Sequence, residues 1–172
     1  MFIDDLVSII MPSYNTAKYI GEAIQSVLNQ SYQTWELIII DDCSTDDTDR
    51  VVKTFNDSRI KYIKNNRNVG AATSRNYALK KATGKWIAFL DSDDRWKPKK
   101  LEMQLSFMKR NHYYFSYTNY EEIDMNGKNR NVVVTGPEII SERGMFNYCW
   151  PGCLTVMYDA TKIGVIQIGN IK

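Results

Sequence analysis

The 172-residue sequence predicts an α/β fold in which helices cover both faces of a parallel sheet. Three observations carry that prediction. Short apolar runs rich in β-branched residues recur at roughly 20–30 residue spacing. Segments of helical period fill the gaps between them. Three of the runs also stop abruptly at clusters of polar residues.

Val7–Ile10 is the first run, a pattern suited to a fully buried parallel strand, and it ends at Pro12-Ser13-Tyr14-Asn15. Ile20, Ala23, Ile24, Val27 and Leu28 follow at helical spacing. Leu37–Ile40 is the second run and Asp41-Asp42 stops it; Ser44-Thr45-Asp46-Asp47 then offers N-cap chemistry for a helix to about Phe55. Ile60–Ile63 reads as a third strand. Ala71–Ala82 reads as a helix with Tyr77 and Leu79 on its apolar side and Gly84 as its stop. Trp86–Leu90 is the fourth strand and runs into Asp91-Ser92-Asp93-Asp94. Pro98 suits the first helical position of a segment whose apolar face is Leu101, Leu105 and Met108. Beyond His112 the pattern changes. Tyr113–Tyr117 reads as a strand, Met125–Lys128 as a turn, Val132–Thr135 as the return of a hairpin and Leu154–Tyr158 as a further strand.

A net charge of +2 is too small to imply a nucleic-acid partner, and Arg95, Lys97, Lys99 and Lys100 read as a solvated helix start. No apolar run approaches the ~18 residues of a membrane span, and no basic-then-apolar leader opens the chain, so it reads as cytoplasmic. Cys43, Cys149 and Cys153 are odd in number, which argues against a disulfide framework and for reduced thiols.

Ligands of open parallel sheets bind beyond the carboxyl ends of the strands, where all three polar clusters fall. Asp91 and Asp93, one residue apart after a buried strand, would repel each other in one crevice; Mg²⁺ or Mn²⁺ bridging phosphates removes the conflict. The bland alternative is that these acids cap the next helix, and Asp94 alone serves either reading. Asp42 can accept from a base or ribose, or cap the helix that follows. Tyr14 offers a ring for stacking, or a core aromatic. Arg75 can reach a pyrophosphate, or form a surface ion pair. His112 is the only histidine and reads as a surface residue, so nucleophile–histidine catalysis has little support.

Taken together, these segments resemble the inverting family 2 glycosyltransferases. Val7–Asn15 matches the family's strand ending P-[ST]-[YF]-N, and LIIIDDCSTDDT (37–48) matches its second strand and turn. NVGAATSRN (68–76) matches its N-x-G-x-x-x-[AS]-R-N helix, and WIAFLDSDD (86–94) its metal strand. The resemblance implies a GT-A fold built on one mixed, mainly parallel sheet, with residues 1–111 as the nucleotide-sugar-binding half and 112–172 as an incomplete start of the acceptor-binding half. It implies that Pro12, Tyr14 and Asp42 hold the uracil side of a UDP-sugar, that Arg75 lies near base or phosphates and Asp91 near ribose or sugar, and that Asp93 carries Mn²⁺ or Mg²⁺. It further implies a saccharide or lipid-linked saccharide acceptor, bacterial surface-glycan assembly, and peripheral association with the inner face of the membrane. The family's general base lies in an [ED]-D-x-x-L/W segment that does not occur before Lys172, so no catalytic base is assigned and donor binding is the expected property of this stretch. Competing readings are a non-catalytic nucleotide-sugar-binding module, and a nucleotidyltransferase or dinucleotide-binding dehydrogenase. The last two lack their Gly-rich loop, since no glycine occurs before Gly21. A receiver domain would need its acidic pair after the first strand.

Overall fold

Strands buried on both faces need apolar side chains on both sides of the pleat, and the isoleucine-rich runs supply them. In the computed structural model, which describes residues 2–137 and 152–169, these runs become β1 (Ile3–Ser13), β2 (Trp35–Asp41), β3 (Ile60–Lys64) and β4 (Gly84–Phe89). They lie side by side in the order β3-β2-β1-β4, all parallel. Two short strands, β5 (Phe115–Ser116) and β8 (Met157–Asp159), extend the sheet past β4, with β8 antiparallel to both β4 and β5. The sheet is therefore mixed and mainly parallel, and residues on both sides of position 112 build it.

Alternation along each strand divides the core. Ile9, Met11, Leu37, Ile39, Trp86 and Ala88 pack on one face with α1 (Ile20–Leu28) and α4 (Lys100–Asn111). Ile10, Ile38, Ile40, Ile87 and Phe89 pack on the other with Ala78 and Leu79 of α3 (Ala71–Lys81). Fully burying one such aliphatic side chain is worth ~1.5–3 kcal/mol. A separate hairpin of β6 (Tyr120–Ile123) and β7 (Asn129–Val134) stands off the main sheet.

Several local expectations are corrected. Gly84 does not stop α3. It opens β4, where an added Cβ would lie 2.5 Å from the Leu6 carbonyl oxygen, so its role is close approach of two strands. Tyr77 is exposed, not part of an apolar face. Pro98 lies in a turn just before the cap residue Lys99, and α4 begins at Lys100. The helix after Asp47 is short, α2 (Thr48–Val52), and ends before Phe55. The hairpin's outgoing arm is Tyr120–Ile123, whereas of Tyr113–Tyr117 only Phe115–Ser116 is strand. Cys153–Thr155 forms a 3₁₀ turn before β8, which shortens the strand expected from Leu154. Lys100 is not solvated: its Nζ is buried without a hydrogen-bond partner among the described residues, 4.0 Å from the centre of the Trp96 ring, and burial lowers its pKa to about 7. Cys149 lies outside the described residues.

Candidate functional site

Register brings the first two polar clusters together. Ser13 pairs with Asp41 at the carboxyl ends of β1 and β2, and the Asp42 N–H donates to the Ser13 carbonyl at 2.8 Å. Ile10 pairs with Phe89 on the other side, so the chain leaves β4 and reaches Asp91 on the same rim. Parallel pairing alone aligns the three ends. Among them opens a cleft of about 400 Å³ whose lining includes Pro12, Tyr14, Asp42, Arg75, Asp91 and Asp93. All six residues singled out from the sequence as ligand or metal contacts thus border one space.

Each has a distinct setting. Tyr14 is 48% exposed at the rim. Asn15 and Cys43, at the ends of β1 and β2, both take the left-handed backbone, with φ of 53° and 67°. This conformation costs a non-glycine residue ~1–2 kcal/mol. The Asn15 side chain holds it in place by accepting from the Thr45 N–H at 2.8 Å, and its own N–H donates to Ser44 Oγ at 2.9 Å.

The two neighbouring aspartates part company. Asp41 is fully buried and accepts from Tyr62 Oη at 2.5 Å and from the Ser44 N–H at 2.8 Å. Asp41 therefore shapes the turn that was open to Asp42. Asp42 faces the cleft and accepts from the N–H groups of Val69 and Gly70 at 2.9 and 2.8 Å, and from Asn65 Nδ2 at 2.9 Å. Burial pushes its pKa up, but these hydrogen bonds outweigh burial and leave it below the ordinary carboxylate value. Asp46, not Asp42, supports the entrance of α2 by accepting from the Thr48 N–H at 3.0 Å.

The backbone groups that Asp42 holds, Val69 and Gly70, are not among the site residues expected from the sequence. The segment Asn68–Gly70 leads into α3 with Gly70 at φ +88°, and Asn68, Gly70 and Ala71 all line the cleft. A helix start carries partial positive charge and suits an anion. The available signal was the N-x-G triplet ahead of a helical segment.

Arg75, from α3, donates from Nη2 to Asp91 Oδ1 at 2.5 Å. The pair is part-buried, with side chains 15% and 29% exposed, so it is a cleft-wall contact instead of a surface one. Arg75 Nε is buried and has no acceptor among the described residues. Asp93 is exposed at the tip of the turn. Asp94 is half-buried, and burial followed by repulsion from Asp93 and Asp91 raises its pKa to about 6. Asp94 does not cap α4, whose cap position is Lys99. Among the described residues no three or more His, Cys, Asp or Glu side chains converge on one point. A cation at Asp93 would thus complete its shell with ligand oxygens and water. Crowded carboxylates on one turn fit that role, because a cation relieves their repulsion. Also among the described residues, no helix is long and apolar enough to cross a membrane.

A doubly covered, mainly parallel sheet with an acidic cleft at its carboxyl rim defines a class, and the chain belongs to it: the sequence model of glycosyl transferase family 2 matches residues 8–156. Among its relatives is the Escherichia coli UDP-Glc:alpha-D-GlcNAc-diphosphoundecaprenol beta-1,3-glucosyltransferase WfgD, 50% identical over 93% of this chain and 62% of WfgD. The chain spans 62–67% of the length of WfgD and of three other curated relatives it matches, and 18–40% of others. The crystal structure of S. aureus TarS 1–349 superposes with a TM-score of 0.72 at 29% identity, covering 90% of this chain and 47% of that one. TarS 1–349 in complex with UDP-GlcNAc is similar over 63% of this chain and 32% of that one, with 34% identity and a TM-score of 0.61. The GT-A fold expected from the sequence is thus the fold observed.

Proposed function

We propose that this chain binds a UDP-sugar in the cleft at the carboxyl ends of β1, β2 and β4, as the donor half of an inverting glycosyltransferase. The observation carrying the reading is the convergence of Pro12, Tyr14, Asp42, Arg75, Asp91 and Asp93 on one cleft. Likeness to a structure containing UDP-GlcNAc and to an enzyme named for UDP-Glc supports the choice of nucleotide. The uracil lies against Pro12 and the exposed Tyr14 ring, with Asp42 beside it. The diphosphate faces the start of α3 and offers Arg75 Nε the acceptor it lacks. Asp91, steered by Arg75, sits by the ribose or sugar.

Asp93 would hold Mn²⁺ or Mg²⁺, and when bound that ion would supply Lewis-acid stabilisation of the departing diphosphate. The acceptor of the whole protein is a saccharide, lipid-linked as in the name of WfgD, which brings it to the inner face of the membrane in surface-glycan assembly. Inversion requires a general base opposite the leaving group, and no described residue is assigned that task.

Isothermal titration of UDP tests the reading. Binding strengthened by Mn²⁺ is expected, and Asp93→Ala should weaken Mn²⁺-dependent binding by about tenfold or more, as loss of a carboxylate ligand implies. Absence of UDP binding with and without Mn²⁺ would remove the proposal. Unchanged Mn²⁺-dependent affinity in the variant would remove Asp93 alone.

A further inference from the structure

Asp42 does not meet the donor cleft as a free carboxylate. Oδ1 accepts twice, from the Val69 N–H and from Asn65 Nδ2, each at 2.9 Å, and Oδ2 accepts from the Gly70 N–H at 2.8 Å. An ionised carboxylate offers about four acceptor positions and no donor. With three taken, one is left for a ligand, on Oδ2.

Two of the three donors are backbone groups at the entrance of α3. The third is the Asn65 side chain, which is not part of the cleft lining. Asn65 lies one residue past β3, where its N–H donates to the Asp41 carbonyl at 2.8 Å and carries the β2–β3 ladder one step further. From there Nδ2 reaches Asp42 Oδ1 and, at 3.3 Å, Oγ of the fully buried Ser74 on α3. The carboxamide has one hydrogen for each. Burial raises the pKa of Asp42, but hydrogen bonds, that of Asn65 foremost, bring it below the ordinary carboxylate value. Asp42 thus stays an acceptor at neutral pH.

Donor or acceptor character separates the pyrimidines at ring position 3. Uracil carries a hydrogen on N3, whereas cytosine carries a lone pair there. A group that can only accept pairs with the first and repels the second. Turned away or protonated, Asp42 would lose the distinction.

We infer that Asn65 is a specificity-determining positioning residue: by occupying Oδ1 it leaves Asp42 a single acceptor facing the cleft, which then takes a pyrimidine with a ring N–H over one with a bare ring nitrogen. This role rests on the donor reading of the cleft.

Calorimetric titration of UDP and of CDP at fixed Mn²⁺ tests it, on wild type, Asn65→Ala and Asn65→Asp. Wild type should prefer UDP by about tenfold or more, as a hydrogen bond to a charged group implies, and Asn65→Ala should cut that preference about fivefold. Asn65→Asp sets a second carboxylate against Asp42, and such a pair retains a proton. Its preference for UDP should be lost at about pH 6 and recover by about pH 8, as the shared proton leaves. A mere packing defect would weaken both nucleotides together and show no such pH profile. Equal affinity of wild type for UDP and CDP, or a preference untouched in both variants, overturns the role of Asn65 and leaves the donor cleft standing. No UDP binding by wild type, with or without Mn²⁺, removes the donor reading and this role with it. Should neither variant fold, NMR of the Asn65 side-chain amide in wild type decides: its signals should move with UDP, and signals that stay in place while UDP binds overturn the role.

Discussion

Glu36 is the second residue of the buried strand β2, and its partners explain why a charge is tolerated there. Its carboxylate accepts from Ser8 Oγ at 2.5 Å, the Thr83 N–H at 2.7 Å and Lys61 Nζ at 2.5 Å, which ties β1, β2, β3 and the entrance of β4 together. Burial raises its pKa, yet the Lys61, Ser8 and Thr83 hydrogen bonds prevail and hold it below the ordinary 4.5. A depressed folded pKa means that the ionised carboxylate stabilises the fold above the unfolded value, and that this is lost as pH falls through the folded value. Glu36→Gln should cost about 1–3 kcal/mol at neutral pH. Urea unfolding of variant and wild type should converge below the ordinary glutamate pKa, and a pH-independent gap would refute the assignment. Position 36 carried no warning in the sequence, because its partners lie 25 to 47 positions away. The rim positions of Asp42 and Asp93, by contrast, were legible: a carboxylate directly after a buried strand, or in the turn that follows one, has only the sheet's rim to occupy.

Among the elements, glycine positions divide by cause. Gly84→Ala would place a Cβ 2.5 Å from the Leu6 carbonyl and force β1 and β4 apart, for a loss of ~1–3 kcal/mol typical of overpacking. Gly70→Ala meets open space, but φ +88° strains it. The expected result is a smaller stability loss with weaker UDP binding, since Gly70 and Val69 are the backbone donors to Asp42. Thermal unfolding and UDP titration on both variants separate the two effects. Equal losses of UDP affinity in both would contradict it. Helical period and apolar runs were readable because each depends on its own residues. Where the hairpin paired was not, because Tyr120–Ile123 carries two glutamates that strands disfavour, while the aromatic Tyr113–Tyr117 looks more β-prone and only its Phe115–Ser116 joins the main sheet.

For the molecule as a whole, the cleft lies between elements that share one rigid sheet, so ligand binding couples directly to global unfolding. At about 100 times Kd, UDP with Mn²⁺ should stabilise the fold by ~2.7 kcal/mol. For a chain this size that raises the midpoint by ~5–10 °C. A calorimetric scan without any rise, where titration shows binding, would mean that the unfolded chain binds too. The family, the fold class, the parallel strands and the placing of six polar or aromatic residues on one rim were determined by the sequence alone, because strand ends and the residues after them are local facts that topology merely collects. Tertiary structure decided what depends on distant partners. It gave Asp41 to the turn and Asp42 to the cleft, set Arg75 on Asp91, buried the Lys100 Nζ over the Trp96 ring, and tied the hairpin turn to Lys18 and Arg95. Hydrogen bonds and ion pairs between residues far apart in the chain exist only once the sheet has brought them together.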